Sequence, residues 1–293
     1  MDMSFCGRAD TSMLILADNY ATNDLNINDF EGVRRSMLPQ SPQSDLQLPS
    51  RDDAERDVDV MLASLGLQLI RRYMGQHHWY AESQLARAAD EAEPGLKLEN
   101  VAAHSWHVAD ATLLLASNFP KLNGQHALEL AILHDKLELF TGDLDPVGPD
   151  GQGTASHAFN PAARAVKTEL ELVALERYIA QLRVPIRERQ RALMLETIYG
   201  ESAEAQLVKG VDKIQALTFV LAKKAGTMTD EHLNFSLRYS AKAIDYFPGL
   251  IIHYRVLVQR LLIMIAEYRQ VSIADVAARL SVAVRPLAHA ALV

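Results

Sequence analysis

From Asp57 to the C-terminus the apolar runs of this chain repeat with the period of a helix, and none alternates convincingly as a strand does. "VDVMLASLGLQLIRRY" (58–73) and "VAAHSWHVADATLLLASNF" (101–119) read as helices, and Asn123-Gly124 turns the chain into "HALELAILHDKLELF" (126–140). "ARAVKTELELVALERYIAQL", "IRERQRALMLETIY", "AEAQLVKGVDKIQALTFVLAKKAG" and the apolar run over 250–268 continue the series, so the expected fold class is all-α. Residues 1–55 stand apart. "MLPQSPQSDLQLPSRDD" (37–53) is rich in Pro, Ser, Gln and Asp without periodicity and reads as a flexible N-terminal arm or linker. The main helical domain is expected over 56–250, with 251–293 as a C-terminal helical extension packed on it or at an interface. One long loop, "GDLDPVGPDGQGTASHAFNP" (142–161), interrupts the helices, and long loops inside compact domains are often functional.

Composition narrows the function classes. A chain of 293 residues, 49% of them apolar, is long enough to bury a sizeable core. A formal net charge of -8 lacks the basic footprint of a protein that grips a nucleic-acid polymer by its phosphates, while leaving small nucleotides open as ligands. Cys6 is the only cysteine, which excludes an internal disulfide framework and a thiolate-rich metal site. "MLILA" (13–17) is too short for a secretory signal, and "LIIHYRVLVQRLLIMIA" (250–266) is interrupted by His253, Arg255, Gln259 and Arg260, which argues against a membrane span. A cytoplasmic location is therefore expected. Because the apolar residues of 250–266 spread around much of the helix, a homodimer or larger homo-oligomer is expected too.

The stretch "ILHDKLELFTGD" (132–143) raises the chemical question, because core packing asks for none of His134, Asp135 and Glu138. Their spacing places all three on one side of a helix near its C-terminal end. His104 lies in the apolar row His104, Val108, Ala111, Leu115, and Asp212 in the row Val208, Asp212, Gln215, Phe219. An ionised aspartate facing a core is costly unless it is paired or binds a cation. One divalent metal held by His104, His134, Asp135 and Asp212 accounts for all of these. The mixed nitrogen and oxygen set suits manganese, cobalt, zinc or iron, ahead of magnesium, and better than calcium. A water bound there becomes a nucleophile for phosphoester cleavage.

"ENVAAHSWHVA" (99–109), "LAILHDKLELFTGDL" (130–144) and "AEAQLVKGVDKIQAL" (203–217) resemble, in order, the three signature segments of the HD-domain phosphohydrolases. The likeness is nearest to the bacterial 5'-deoxynucleotidase branch, whose His-Asp-x-x-Glu-x-x-x-Gly-Asp pattern is matched by His134, Asp135, Glu138, Gly142 and Asp143. It implies an HD-domain helical bundle, the same four metal ligands, and hydrolysis of deoxyribonucleoside 5'-monophosphates. It further implies that Glu138 orients or deprotonates the attacking water and that Asp143 contacts the substrate. "LQLIRRY" (67–73) resembles that branch's first helix, which gives Arg72 the phosphate and Tyr73 the place beside the sugar 2' carbon. Release of triphosphate from deoxynucleoside triphosphates, or a degenerate HD module kept for binding, are the alternatives.

Some residues depart from the pattern. Ala103 stands where the family has a Glu before its first His, which implies a weaker hold on His104 and lower metal affinity. Lys136 replaces a small or apolar residue and is expected to point to solvent, and "LDPVGPDGQG" replaces the usual continuation after Asp143. His107 is read as a non-ligand. "GQHHWY" (75–80) reads as a helix end with a solvated His pair, a second metal site being the remote option. "VSIADVAARL" (271–280) reads as a plain C-terminal helix.

Overall fold

Most of the long helices begin at a side chain that takes up amides left free by the first turn. The computed structural model describes residues 49–74, 76–79 and 98–292. Ser50 caps α1 (Arg51–Ser64), Asn100 caps α2 (Val101–Ala116) and Asn123 caps α3 (Gly124–Leu133). The single-turn α4 (Glu138–Thr141) follows, then α5 (Pro161–Ile179), opened by Asn160 with Pro161 in its first turn. Next, α6 (Val184–Tyr199) stops at Gly200 in the left-handed conformation, Ser202 caps α7 (Ala203–Lys224), and Thr229 caps α8 (Asp230–Tyr246). The chain ends in α9 (Ile251–Arg269), α10 (Ile273–Ala278) under a Ser272–Asp275 capping box, and α11 (Arg285–Leu292). Among the described residues the β content is one isolated antiparallel bridge, Arg71 to Asn100. The all-α expectation therefore holds.

The spine is α7, which packs against α2, α3, α8 and α9. It buries Leu207, Val208, Val211, Ile214, Leu217 and Val220, each contributing about 1.5–3 kcal/mol on burial. Opposite it, α2 buries the row His104, Val108, Thr112 and Leu115, and α3 buries Ala127, Leu130, Ala131 and Leu133. A helix with core on several sides carries whatever polar residues its sequence contains into the interior, and this is how Asp212 and Gln215 arrive there. By length and composition Pro248–Arg269 is apolar enough to cross a membrane. Its helix α9 instead buries Tyr254, Val258, Leu261, Leu262 and Ile265 and packs against α7, α8, α10 and α11. Neighbours in the same chain cover that face, while Ile252, Val256 and Tyr268 stay exposed on the rest of the helix.

Local structure departs from expectation in three places. The arm expected over 1–55 lies outside the described residues as far as residue 48, but α1 already starts at Arg51, inside it. The helix expected over 58–73 stops at Ser64, passes into a tight turn at Leu65–Gln68, and gives way to an extended link. There the Arg72 amide donates to Glu99 O and the Val101 amide to Ile70 O, both at 2.9 Å. Arg72 and Tyr73 are therefore not helical, and Tyr73 has a φ of 67°. Finally, 132–143 is not one helix. α3 stops at Leu133, and the chain turns through i to i+3 bonds, Lys136 to Leu133 at 3.0 Å and Glu138 to Asp135 at 3.1 Å, before α4 begins.

Candidate metal centre and its cavity

The four expected ligands gather around His104 of α2: His134 and Asp135, just past the end of α3, present atoms that lie with its own within 4.8 Å of one another, and Asp212 of α7 reaches His104 from the other side. His104 Nε2, on a ring with no solvent exposure, lies 3.2 Å from Asp135 Oδ2, 3.2 Å from Asp212 Oδ1 and 3.3 Å from His134 Nε2. His134 Nε2 is itself 3.2 Å from Asp135 Oδ2. The kink after α3 makes this possible, because it turns the consecutive His134 and Asp135 toward the same point. Both imidazoles are fixed from behind: His134 Nδ1 lies 2.7 Å from Ala131 O and His104 Nδ1 lies 2.7 Å from Gln215 Oε1. Those oxygens only accept, so each Nδ1 donates, and each Nε2 lone pair is left for the centre.

The charge at this point fits a cation. Burial pushes the His104 imidazole down, but the Asp135 and Asp212 carboxylates outweigh it and hold the ring up at about 9. Burial raises Asp135 and Asp212, yet His134 and His104 carry Asp135 well below the usual carboxylate range, and Lys213 does the same for Asp212. A site that retains a proton on a fully buried ring is one where a divalent cation can take that proton's place. The donors and their charge fit the metal that the sequence implied.

Sequence reasoning missed Gln215 and Glu99, although Gln215 lay in the quoted apolar row. The Gln215 side-chain amide donates to Glu99 Oε1 at 2.6 Å and to His107 Nδ1 at 3.1 Å while its oxygen holds His104. Glu99 Oε2 also accepts from Arg72 Nη1 at 3.1 Å. The weaker hold expected from Ala103 is thus corrected: α7, packed across α2, supplies Gln215 from the opposite side. No local pattern foretells such a partner, because 111 positions separate it from His104.

Around the centre lies a cavity of about 180 Å³, lined by Arg72, His134, Asp135, Glu138, Asp143 and Asp212 among others. Burial, then the Asp135 and Asp143 carboxylates, raise Glu138 well above the ordinary value, and its Oε2 is buried without a hydrogen-bond partner. Burial likewise raises Asp143, which Arg72 Nε approaches at 3.9 Å. The remaining wall carries Arg164, Lys167, Lys209, Lys213 and Lys242 from α5, α7 and α8. Two of these have carboxylate partners: Lys213 Nζ lies 2.6 Å from Asp212 Oδ2, and Lys167 Nζ lies 3.4 Å from Glu171 Oε1. Lys209 and Lys242 donate to the backbone oxygens of Ile198 at 2.8 Å and Ala158 at 2.5 Å. Helix α8, source of Lys242 and Tyr239, was not singled out in the sequence.

Other expected residues fall elsewhere. Tyr73 does not line this cavity; it lines a smaller pocket that shares Arg72, Pro146 and Tyr239 with it, and its ring stacks on Phe219 at 5.2 Å. Lys136, expected in solvent, is corrected: its Nζ donates to Ser64 Oγ at 2.5 Å and lies over the Tyr178 ring, drawn back by the packing of α1. The His pair of 75–80 is also corrected in part, since no helix ends there and His78 is buried while His77 is exposed; Gly75 and Tyr80 lie outside the described residues.

Comparison with known families matches residues 80–248, more than half of the chain, to the HD domain. Among solved structures, a predicted metal-dependent phosphohydrolase from Magnetospirillum magnetotacticum MS-1 is 19% identical, covering 74% of this chain and 97% of its own at a TM-score of 0.49. A conserved hypothetical protein from Pyrococcus furiosus is 24% identical, covering 68% and 98% at a TM-score of 0.44. Both fall below the similarity at which a shared activity follows from a shared shape. No curated protein matches the chain.

Proposed function

The chain belongs to the HD-domain family, and from that premise we propose that it is a metal-dependent phosphohydrolase that removes phosphate from 5'-nucleotides, deoxyribonucleoside 5'-monophosphates foremost. The observation that carries this reading is the pairing, in one cavity, of His134, Asp135 and Asp212, which meet the fully buried His104 behind them, with a wall of lysine and arginine. A divalent cation on those four residues supplies Lewis-acid chemistry, favouring deprotonation of water and neutralising phosphate charge. Arg72, with its buried Nε lacking a hydrogen-bond partner, presents a guanidinium to phosphate oxygens from one side. Lys167 and Lys213 meet them from the other. Glu138, raised by burial and by neighbouring carboxylates, handles the proton of the attacking water, and Asp143 positions Arg72 and the substrate. On this reading Tyr73 meets the sugar only through the smaller pocket beside Arg72, so its influence on sugar choice is the weakest of the assigned roles.

Deoxynucleoside triphosphates are the second reading, favoured by Lys209 and Lys242. Neither has a carboxylate within 4.0 Å among the described residues, and together they offer more positive charge than one phosphate needs. The test is phosphate release from a panel of deoxy- and ribonucleoside mono- and triphosphates with manganese, cobalt or zinc supplied. Inorganic phosphate from dAMP supports the monophosphate reading, and tripolyphosphate from dATP supports the second. No turnover of any substrate with any of the metals overturns both.

A further inference from the structure

Away from the cavity, the Gln76–Trp79 segment and the first turn of α8 bring together His77, His78 and Glu231, whose ligand atoms all lie within 4.8 Å of one another. We infer that these three residues form a second cation site, for a borderline transition-metal ion such as zinc, with water completing its coordination. Two imidazoles and one carboxylate are the donor types such an ion takes.

The local geometry favours an ion over a direct ion pair. His77 Nε2 and Glu231 Oε1 stand 3.6 Å apart, too far for a hydrogen bond. Two ligands each about 2.0–2.1 Å from a tetrahedral zinc lie roughly 3.3 Å apart, so the observed gap is near the one an ion spans. His78 Nε2 lies 3.0 Å from Gly151 O. A carbonyl only accepts, so that nitrogen carries the proton of the neutral ring and Nδ1 keeps the free lone pair, the arrangement common at metal-binding histidines. The His78 ring is further fixed by stacking on His232, with centroids 4.6 Å apart and planes within 4°. His232 is almost fully buried, and its Nδ1 has no hydrogen-bond partner.

The backbone leaves room for this cluster at one residue. Gly151 has a φ of 67°, and a Cβ there would stand 2.3 Å from His77 Cε1 and 2.8 Å from Glu231 Oε1. Only glycine accepts both that conformation and that approach. An ion on the three side chains would clasp the 76–79 segment to α8 around the tip of the 142–160 loop. The same segment reaches the loop again through Gln76 Nε2, which donates to Asp145 Oδ1 at 2.8 Å. None of the three ligands lines the main cavity, so the proposal stands apart from the phosphohydrolase reading.

The test is zinc content after equilibrium dialysis of the full chain, in the unaltered protein and in a His134→Ala/Asp135→Ala background that disables the main centre. Glu231→Gln and His77→Gln alter exposed side chains and leave the fold in place. In the unaltered protein either change should lower bound zinc from about two equivalents to about one, and in the disabled background from about one to about none. Cobalt substituted for zinc in the disabled background should give a visible absorption band that both variants lose. Zinc content unchanged by both variants, or no zinc retained in the disabled background, overturns the site and leaves His77 and Glu231 a plain ion pair.

Discussion

His104 and His134 stand in the helical core with each Nδ1 tied to an oxygen behind it, whereas His77 and His78 stand on a short non-helical segment with one ring tied and the other exposed. Both clusters pair two imidazoles with carboxylate, so ligand type does not separate them. What separates them is what surrounds the ligands. The core centre has the Gln215–Glu99–Arg72 chain behind it and a cation-lined cavity in front, while the outer cluster opens to solvent through His77 and Glu231. A cation in the first setting can do chemistry on a bound anion. In the second, with no cation-lined cavity beside it, the proposed ion would fasten the 76–79 segment to α8.

The largest effect should come from breaking the core centre itself. His134→Ala or Asp135→Ala should abolish metal retention there and turnover with it, while circular dichroism keeps its helical signal, since neither residue anchors a helix. Full activity of either variant in metal-supplemented buffer would show the ligand assignment to be wrong. Glu138→Ala should separate proton handling from metal binding: metal content persists and turnover falls ~10²–10⁴-fold. Loss of metal in that variant would make Glu138 a ligand instead.

Removing what stands behind a ligand should sharpen the contrast next. Gln215→Leu frees His104 Nδ1 and should weaken metal affinity at the core centre by about 10–100-fold, with zinc on the outer cluster unchanged. An unaltered affinity would mean that packing alone orients the ring. A smaller effect is expected from the cationic wall. Burial pushes both Lys209 and Lys242 down to about 8, so each loses its charge as pH rises through that value. The KM for a triphosphate should then rise above pH 8, and Lys209→Gln should raise it about two- to fivefold at pH 7 while leaving the monophosphate KM unchanged. Equal effects on both substrates would remove the triphosphate reading. Smallest of all, Tyr73→Ala should narrow the preference for dAMP over AMP without loss of metal, and equal rates on the two in the unaltered protein would dispose of the sugar role altogether.

The helical period determined the fold class, because amphipathic spacing is a property of each segment alone and needs no partner to be read. The four residues proposed to hold the metal were legible for a related reason: His104 and Asp212 interrupt apolar rows, and His134-Asp135 falls where packing wants leucine, so each shows as a local anomaly. Gln215, Glu99, Lys209 and Lys242 show no such anomaly. A glutamine or lysine on an amphipathic helix is ordinary until another helix crosses it, and only the packing of α7 against α2 and α8 turned them inward. The same holds for Arg72, whose helical placement failed because a backbone pairing with Glu99, 27 positions away, outweighed local propensity. His77 and His78 read as a solvated pair from sequence, and it took the first turn of α8 and the bend at Gly151 to bring Glu231 beside them. Local spacing can announce that a polar residue is out of place, but which distant group answers it is decided by contacts that exist only after the helices have packed.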